Sequence, residues 1–294
     1  MVGSVLRPDT TDSRIMIPPI ANNFVAGEGP ATAIEHVQAC NRDGVDGILN
    51  LLGEHYDERP PADADTQAYI DLIADLAEAD VGGCVSVKPS QIGLDVGVDV
   101  FEENLAAVVA AGQEHDRFVW IDMEDHTTTD VTLDAFEKHA VATDGGVGLC
   151  TQANLKRTRE DIERLAGVPG KVRFVKGAYD EPAAVAHKSK AAVNSAYREL
   201  LEFAFREFDD GIAVGSHDPA MIEYAADLHA EYGTDYEVQM LMGVREDAQR
   251  DLAADGVPTY QYIPYGAKWF SYFYRRLRER KENALFALRA IIGR

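Results

Sequence analysis

Basic side chains are scarce in this chain: 28 Lys and Arg stand against 50 Asp and Glu in 294 residues, a formal net charge of -22. A surface that tracks nucleic-acid phosphates needs a clustered positive field, so this balance argues against nucleic-acid binding. Cysteine is nearly missing. Cys40, Cys84 and Cys150 have no CxxC spacing, which excludes a disulfide framework or a zinc ribbon and fits three small hydrophobes in a reducing cytoplasm. The eight histidines show neither HxH nor HExxH, so no metal site is expected. No apolar run is long enough to span a bilayer. The N-terminal MVGSVLRPDTTDSRIMIPPIANN lacks the basic-then-apolar layout of a signal peptide. Arginines outnumber lysines and acids are spread over every segment, the pattern of a surface kept hydrated at high salt.

What is present is a regular alternation. Eight near-continuous apolar runs occur: VDGILNLLG (45–53), GCVSVK (83–88), RFVWID (117–122), GVGLCTQ (146–152), VRFVKGA (172–178), GIAVGSH (211–217), YEVQMLMG (236–243) and VPTYQYIPYG (257–266). Strands buried on both faces have this composition. Amphipathic stretches such as TQAYIDLIADLAEA, FEENLAAVVAAG and AAVNSAYRELLEFAFREF lie between them and read as crossover helices. Eight strand–helix units in one chain of this length predict a single α/β domain over residues 1–294, a (β/α)8 barrel. A doubly wound sheet is the runner-up, but no GxGxxG follows the first strand. ATAIEHVQACNRDG, ahead of the first strand, predicts an extra N-terminal helix that plugs the barrel floor.

Barrels of this kind carry their chemistry at the C-terminal ends of the strands. The eight ends here offer Glu54, Lys88, Asp122 with Glu124, Gln152, Arg173 with Lys176, His217, Gln239 and Tyr262. One polar strand end is ordinarily a solvated loop residue, but eight of them converge on one mouth and suit a polar ligand with several functional groups. After the last strand comes YGAKWFSYFYRRLRER, where Gly266 makes a turn and a helix begins near Ala267. At 100° per residue, Trp269, Tyr272, Arg275, Arg276 and Glu279 share one face, while Phe270, Phe273, Tyr274 and Leu277 share the other. In a carboxylate-rich chain, adjacent arginines on a face with aromatics suit a bidentate carboxylate clamp better than a merely solvated surface.

YIPYGAKWFSYFYRRLRE closely resembles the end of the proline dehydrogenase domain. LLGEH, VSVKPS, IDMED, TQANLKR, VRFVKGAY, GSHD and EVQMLMG follow in that family's order from about Gly47 to Glu279. The resemblance implies a distorted barrel with FAD at its mouth and the final helix laid over the ligand. It implies oxidation of L-proline to Δ1-pyrroline-5-carboxylate, with the reduced flavin reoxidised by a membrane quinone. The size resembles the monofunctional form rather than the one fused to an aldehyde dehydrogenase. By resemblance, Arg275 and Arg276 grip the substrate carboxylate, aided by Lys88. Glu279 tethers an arginine, Glu54 completes the cap, Tyr262 and Tyr272 border the substrate ring, and Leu241 gives an apolar wall. Asp122 and Arg173 are the implied catalytic residues, Arg173 lying near the flavin N5. Met123, Gln152, Lys176, Gly177, Ala178, Ser216 and His217 match cofactor-contacting positions. Three positions depart from the family pattern: Ser216-His217-Asp218 replaces Thr-His-Asn, Asn154 stands where an aromatic is common, and Pro89 follows the lysine. The location implied is cytoplasmic, with at most peripheral contact at the inner membrane face. Two other readings stay open: a Schiff-base aldolase using Lys88 or Lys176, and a catalytically silent amino-acid-binding barrel.

Overall fold

A computed structural model describes residues 23–269. Its eight strands are β1 (Asp46–Leu51), β2 (Gly83–Val87), β3 (Val119–Ile121), β4 (Val147–Gln152), β5 (Lys171–Val175), β6 (Ile212–Gly215), β7 (Tyr236–Leu241) and β8 (Thr259–Tyr265). All neighbouring pairs are parallel, and β8 closes onto β1 with Asp46 opposite Tyr260 and Leu51 opposite Tyr265. Seven helices connect successive strands: α2 (Arg59–Glu78), α3 (Val98–Glu114), α4 (Thr129–Ala142), α5 (Thr158–Leu165), α6 (Lys190–Glu207), α7 (Pro219–Tyr232) and α8 (Glu246–Ala254). The eight apolar runs of the sequence are these eight strands, and the expected barrel is the observed architecture.

The main core is the layer between strands and helices. Outward residues such as Leu49, Val85, Ile121, Leu149, Phe174 and Val238 meet the apolar stripes of the surrounding helices there. A second, small cluster of Ile48, Cys84, Trp120 and Ala213 fills the lower barrel interior, with Phe118, Tyr260 and Tyr262 packed against it. Gly148 makes room for that cluster: a Cβ there would sit 2.6 Å from the indole carbons of Trp120. Cys84 and Cys150 are buried as expected, whereas Cys40 is half-buried and its Sγ donates weakly to Gln261 Oε1 at 3.6 Å.

Helix α1 (Pro30–Arg42) precedes β1, but it does not plug the barrel floor. Period-two alternation turns Gly47 and Gln261 outward while Ile48 and Tyr262 point inward. Val37 of α1 packs on Gly47, and His36 Nε2 donates to Gln261 Oε1 at 2.6 Å. The helix therefore covers the outer seam of β1 and β8, burying Ala33, Ile34 and Val37. Strands apolar on their outer faces need such cover. After β8, Gly266 turns the chain with φ +126, its N–H donating to the Gly27 carbonyl, and the described residues end at the buried Trp269. The expected final helix with Tyr272, Arg275, Arg276 and Glu279 lies outside the described residues.

Candidate active site

Asp122 follows β3 immediately and faces the barrel interior, 7 % exposed. Its Oδ1 accepts from Ser86 Oγ at 2.7 Å and from Arg173 Nη2. Its Oδ2 accepts from Lys88 Nζ at 2.6 Å and from the Tyr262 hydroxyl at 2.7 Å. Four donors from β2, β5, β8 and the residue after β2 thus fill the roughly four lone-pair sites of one carboxylate. Burial alone would raise its pKa, but the charges of Lys88 and Arg173 hold it well below the usual range. Burial likewise disfavours the Lys88 ammonium, yet Asp122 keeps that amine charged. Tyr262 is pushed upward by burial and by Asp122, so its phenol stays protonated. With no lone pair free, Asp122 is an anchor for two cations rather than a proton acceptor.

Arg173, in mid β5 and 4 % exposed, lies between two rings: its guanidinium carbon is 4.9 Å from the Trp120 centroid and 5.5 Å from that of Tyr262. Its Nη1 donates to Gln239 Oε1 at 3.1 Å. The second buried acid of the IDMED run behaves differently. Glu124 accepts from the Ser90 backbone N–H at 2.6 Å and from Ser90 Oγ at 2.7 Å, tying the β3 tip to the loop after β2. Its pKa is raised because burial outweighs these hydrogen bonds and the nearby Lys88 charge.

The other half of the mouth is built from the loops after β4, β5 and β6. Gln152, 3 % exposed, donates from Nε2 to the Glu124 carbonyl at 2.7 Å. Lys176, just past β5, pairs with Asp218 at 2.7 Å, and Asp218 caps α7 through the Ala220 N–H at 3.2 Å. Ser216 Oγ accepts from the Asp218 N–H at 3.2 Å. His217 Nε2 accepts from the Leu241 N–H at 2.7 Å, a contact that joins the tips of β6 and β7. Gly177 has φ +101, and a Cβ on it would lie 2.0 Å from Asn154 Oδ1. The departure at Asn154 is thus packed against a loop position that admits no side chain.

The structure brings together Lys88, Asp122, Arg173 and Tyr262, with Met123 and Gln152 buried beside them. Glu54 and Leu241 are half-buried beyond β1 and at the end of β7, Gly177 is half-buried, and Ala178 is exposed in the loop after β5. Ser86 and Trp120 make contacts that the strand-end reading passed over, while Gln239, named there, accepts from Arg173. Ser86 and Trp120 each sit two residues below a strand tip and face the same interior, so alternation within VSVK and VWID was the available signal. Tyr179, the last residue of VRFVKGAY, is also at the mouth: burial pushes its hydroxyl up, with Lys88 opposing and Glu124 and Glu54 reinforcing. A cavity of about 290 Å³ lined by His126, Leu155, Lys156, Arg157 and Val185 lies among the loops after β3, β4 and β5, away from this cluster.

Comparison with known proteins agrees with this geometry. Residues 33–289 match the family model described as proline dehydrogenase. The chain is 37% identical over 281 residues to the proline dehydrogenase of Deinococcus radiodurans, covering 93% of this chain and 90% of that one. It is 33% identical over 275 residues to proline dehydrogenase 1 of Bacillus subtilis strain 168, covering 92% and 90%. Its fold is similar to that of the proline utilization A structure from Bdellovibrio bacteriovorus inactivated by N-propargylglycine, with a TM-score of 0.81 at 22% identity. That similarity covers 90% of this chain but only 33% of the larger protein. The structure of proline utilization A from Bradyrhizobium japonicum, mutant D779Y, gives a TM-score of 0.75 at 20% identity, covering 92% of this chain and 32% of that one. With its parallel barrel closed, its mouth built around Asp122, and its family model matched over most of its length, the chain belongs to the proline dehydrogenase family.

Proposed function

We propose that this protein is an FAD-dependent L-proline dehydrogenase forming Δ1-pyrroline-5-carboxylate, with a quinone as the onward electron acceptor. The observation that carries the reading is the convergence of two cations, Lys88 and Arg173, on the single carboxylate of Asp122. That trio leaves one positive charge in excess at the mouth of a barrel whose chain carries -22 overall. Glu124 makes its hydrogen bonds to Ser90 rather than to the trio. Such a mouth attracts an anionic ligand group and strengthens that attraction by excluding water.

The residues fit the proposed cofactor by the chemistry of their donors. Lys176, Ser216, His217 and the start of α7 gather a cation, a hydroxyl and an imidazole on one side, suited to a pyrophosphate. Arg173 lies on the inner side, with Met123 and Gln152 buried at the same mouth, where a flat ring system would rest. When bound, FAD would supply the two-electron acceptor for hydride removal from a proline ring carbon. The chain's part is placement. Lys88 is held charged for the substrate carboxylate, and Tyr262 is held protonated by its bond to Asp122 beside the substrate ring. In this reading the clamp is completed by Arg275 and Arg276, with Glu279 tethering an arginine, Glu54 capping, and Tyr272 and Leu241 meeting the ring; Tyr272, Arg275, Arg276 and Glu279 lie outside the described residues. The aldolase reading loses support: Lys88 is protonated against Asp122, and Lys176 is paired with Asp218, so neither offers a free amine nucleophile.

The decisive experiment is the visible spectrum of the purified protein before and after anaerobic addition of L-proline. A flavin band that bleaches supports the reading. A colourless protein that binds no added FAD, or a flavin that proline leaves oxidised, overturns it.

A further inference from the structure

Beneath the mouth, the barrel interior holds a second polar chain that the reaction as described does not use. Glu237 and Gln239 are two residues apart on β7, so both point inward, and they are 5 % and 3 % exposed. Gln239 Nε2 donates to Glu237 Oε1 at 2.6 Å, while Gln239 Oε1 accepts from Arg173 Nη1. Glu237 Oε2 in turn accepts from Lys171 Nζ at 2.5 Å, and Lys171 lies near the Phe118 and Tyr260 rings. The order of donors leaves one solution. An ionised carboxylate only accepts, so Glu237 forces the Gln239 amide nitrogen downward and its oxygen upward. An arginine only donates, so it needs that oxygen. A buried guanidinium with one end on Asp122 and the other on this oxygen cannot tilt without stranding a buried donor.

We propose that Gln239, oriented by Glu237, is a positioning residue that fixes the plane of Arg173 beneath the bound reactants. The inference rests on the reading of Arg173 as a reactant-facing group. The pair is the lower half of a support whose upper half is Asp122, and together they hold the cation between Trp120 and Tyr262.

The test uses the purified holoenzyme in a Trp269→Phe background, so that Trp120 is the sole tryptophan of the two in the chain. Gln239→Leu removes the amide. Gln239→Glu keeps the shape but sets two carboxylates against each other, and the exchange Glu237→Gln with Gln239→Glu restores one acceptor for Arg173 and one amide between the carboxylate and Lys171. Displacement of Arg173 from the indole changes the Trp120 emission in both single variants. It also lowers kcat for proline by about tenfold or more, since small misplacement of a reacting group is expensive. KM for proline stays within about threefold, because the carboxylate clamp is untouched. The exchange recovers both signals. The proposal is overturned if either single variant matches its parent in emission and kcat, or if the exchange does no better than Gln239→Glu. Should the parent enzyme fail to be reduced by proline, the function above falls. The emission series then still decides whether Gln239 holds Arg173.

Discussion

Asp122 accepts from Ser86, Lys88, Arg173 and Tyr262, and that crowding determines what its replacement does. Asp122→Asn keeps the size but leaves two buried cations facing an amide, and breaking a buried pair costs about 3–5 kcal/mol. Urea unfolding of the variant against the parent measures this. Because the folded pKa of Asp122 lies below its unfolded value, its contribution is complete above about pH 4 and declines only as pH falls toward the folded value. The gap between variant and parent is therefore flat from neutrality down and closes only in strong acid. Glu124 has the opposite sign. Its raised folded pKa means that it favours the fold below about pH 4 and that this contribution is lost as pH rises. Glu124→Gln, which retains an acceptor for Ser90, unfolds at equal or higher urea than the parent at pH 7, and a large loss there would refute the assignment. Arg275→Met and Arg276→Met, in the segment outside the described residues, test the clamp. Each raises KM for proline with flavin content intact, a loss of roughly 2–4 kcal/mol, or about two decades in efficiency. Proline kinetics near the parent's in both would remove them from the clamp.

Helix α1 shows how an element takes its place by complementarity of shape. The amphipathic pattern of residues 31–44 marks a helix but not where it docks. Gly47 decides the docking, because Val37 occupies the volume that any β1 side chain would take. Gly47→Val overpacks this seam, at a cost of about 1–3 kcal/mol in chemical denaturation. A mild effect would mean that α1 can shift without loss. The strands themselves were legible as continuous apolar runs, since both faces of a parallel barrel are buried. The pairings inside were not. Ser86, Arg173 and Tyr262 come from β2, β5 and β8, and their meeting on Asp122 depends on barrel curvature and on register accumulated through several strand pairs. Lys88, Asp122, Arg173 and Tyr262 could be named as strand-end residues, but not as partners of one another.

At the scale of the whole molecule, the excess of acid shapes the surface. Three surface arginines each bridge two carboxylates: Arg59 meets Asp63 and Glu103, the half-buried Arg157 meets Asp130 and Asp161, and Arg164 meets Asp134 and Glu137. Such pairs contribute little singly in water, but here they offset self-repulsion in a chain of -22. Raising salt from 0.1 M to 1 M shortens the screening length from about 10 Å to about 3 Å. The thermal midpoint should then climb with KCl by several degrees. A midpoint that stays level or drops would show that the acidic surface is no adaptation to salt. Among the described residues no helix is long and apolar enough to cross a membrane.

By itself the chain's order of residues determined the alternation of eight strands with helices, because burial on both faces leaves a local apolar signature that needs no partner to be read. The motif order also pointed to the family and to the ring of polar strand ends. Only the closed barrel decided which of those ends touch, that α1 lies outside the wall, and that Gln239 and Glu237 stand beneath Arg173. Those facts depend on inward-facing side chains from strands far apart in sequence, and nothing local encodes which of them share a level once the sheet curves round on itself.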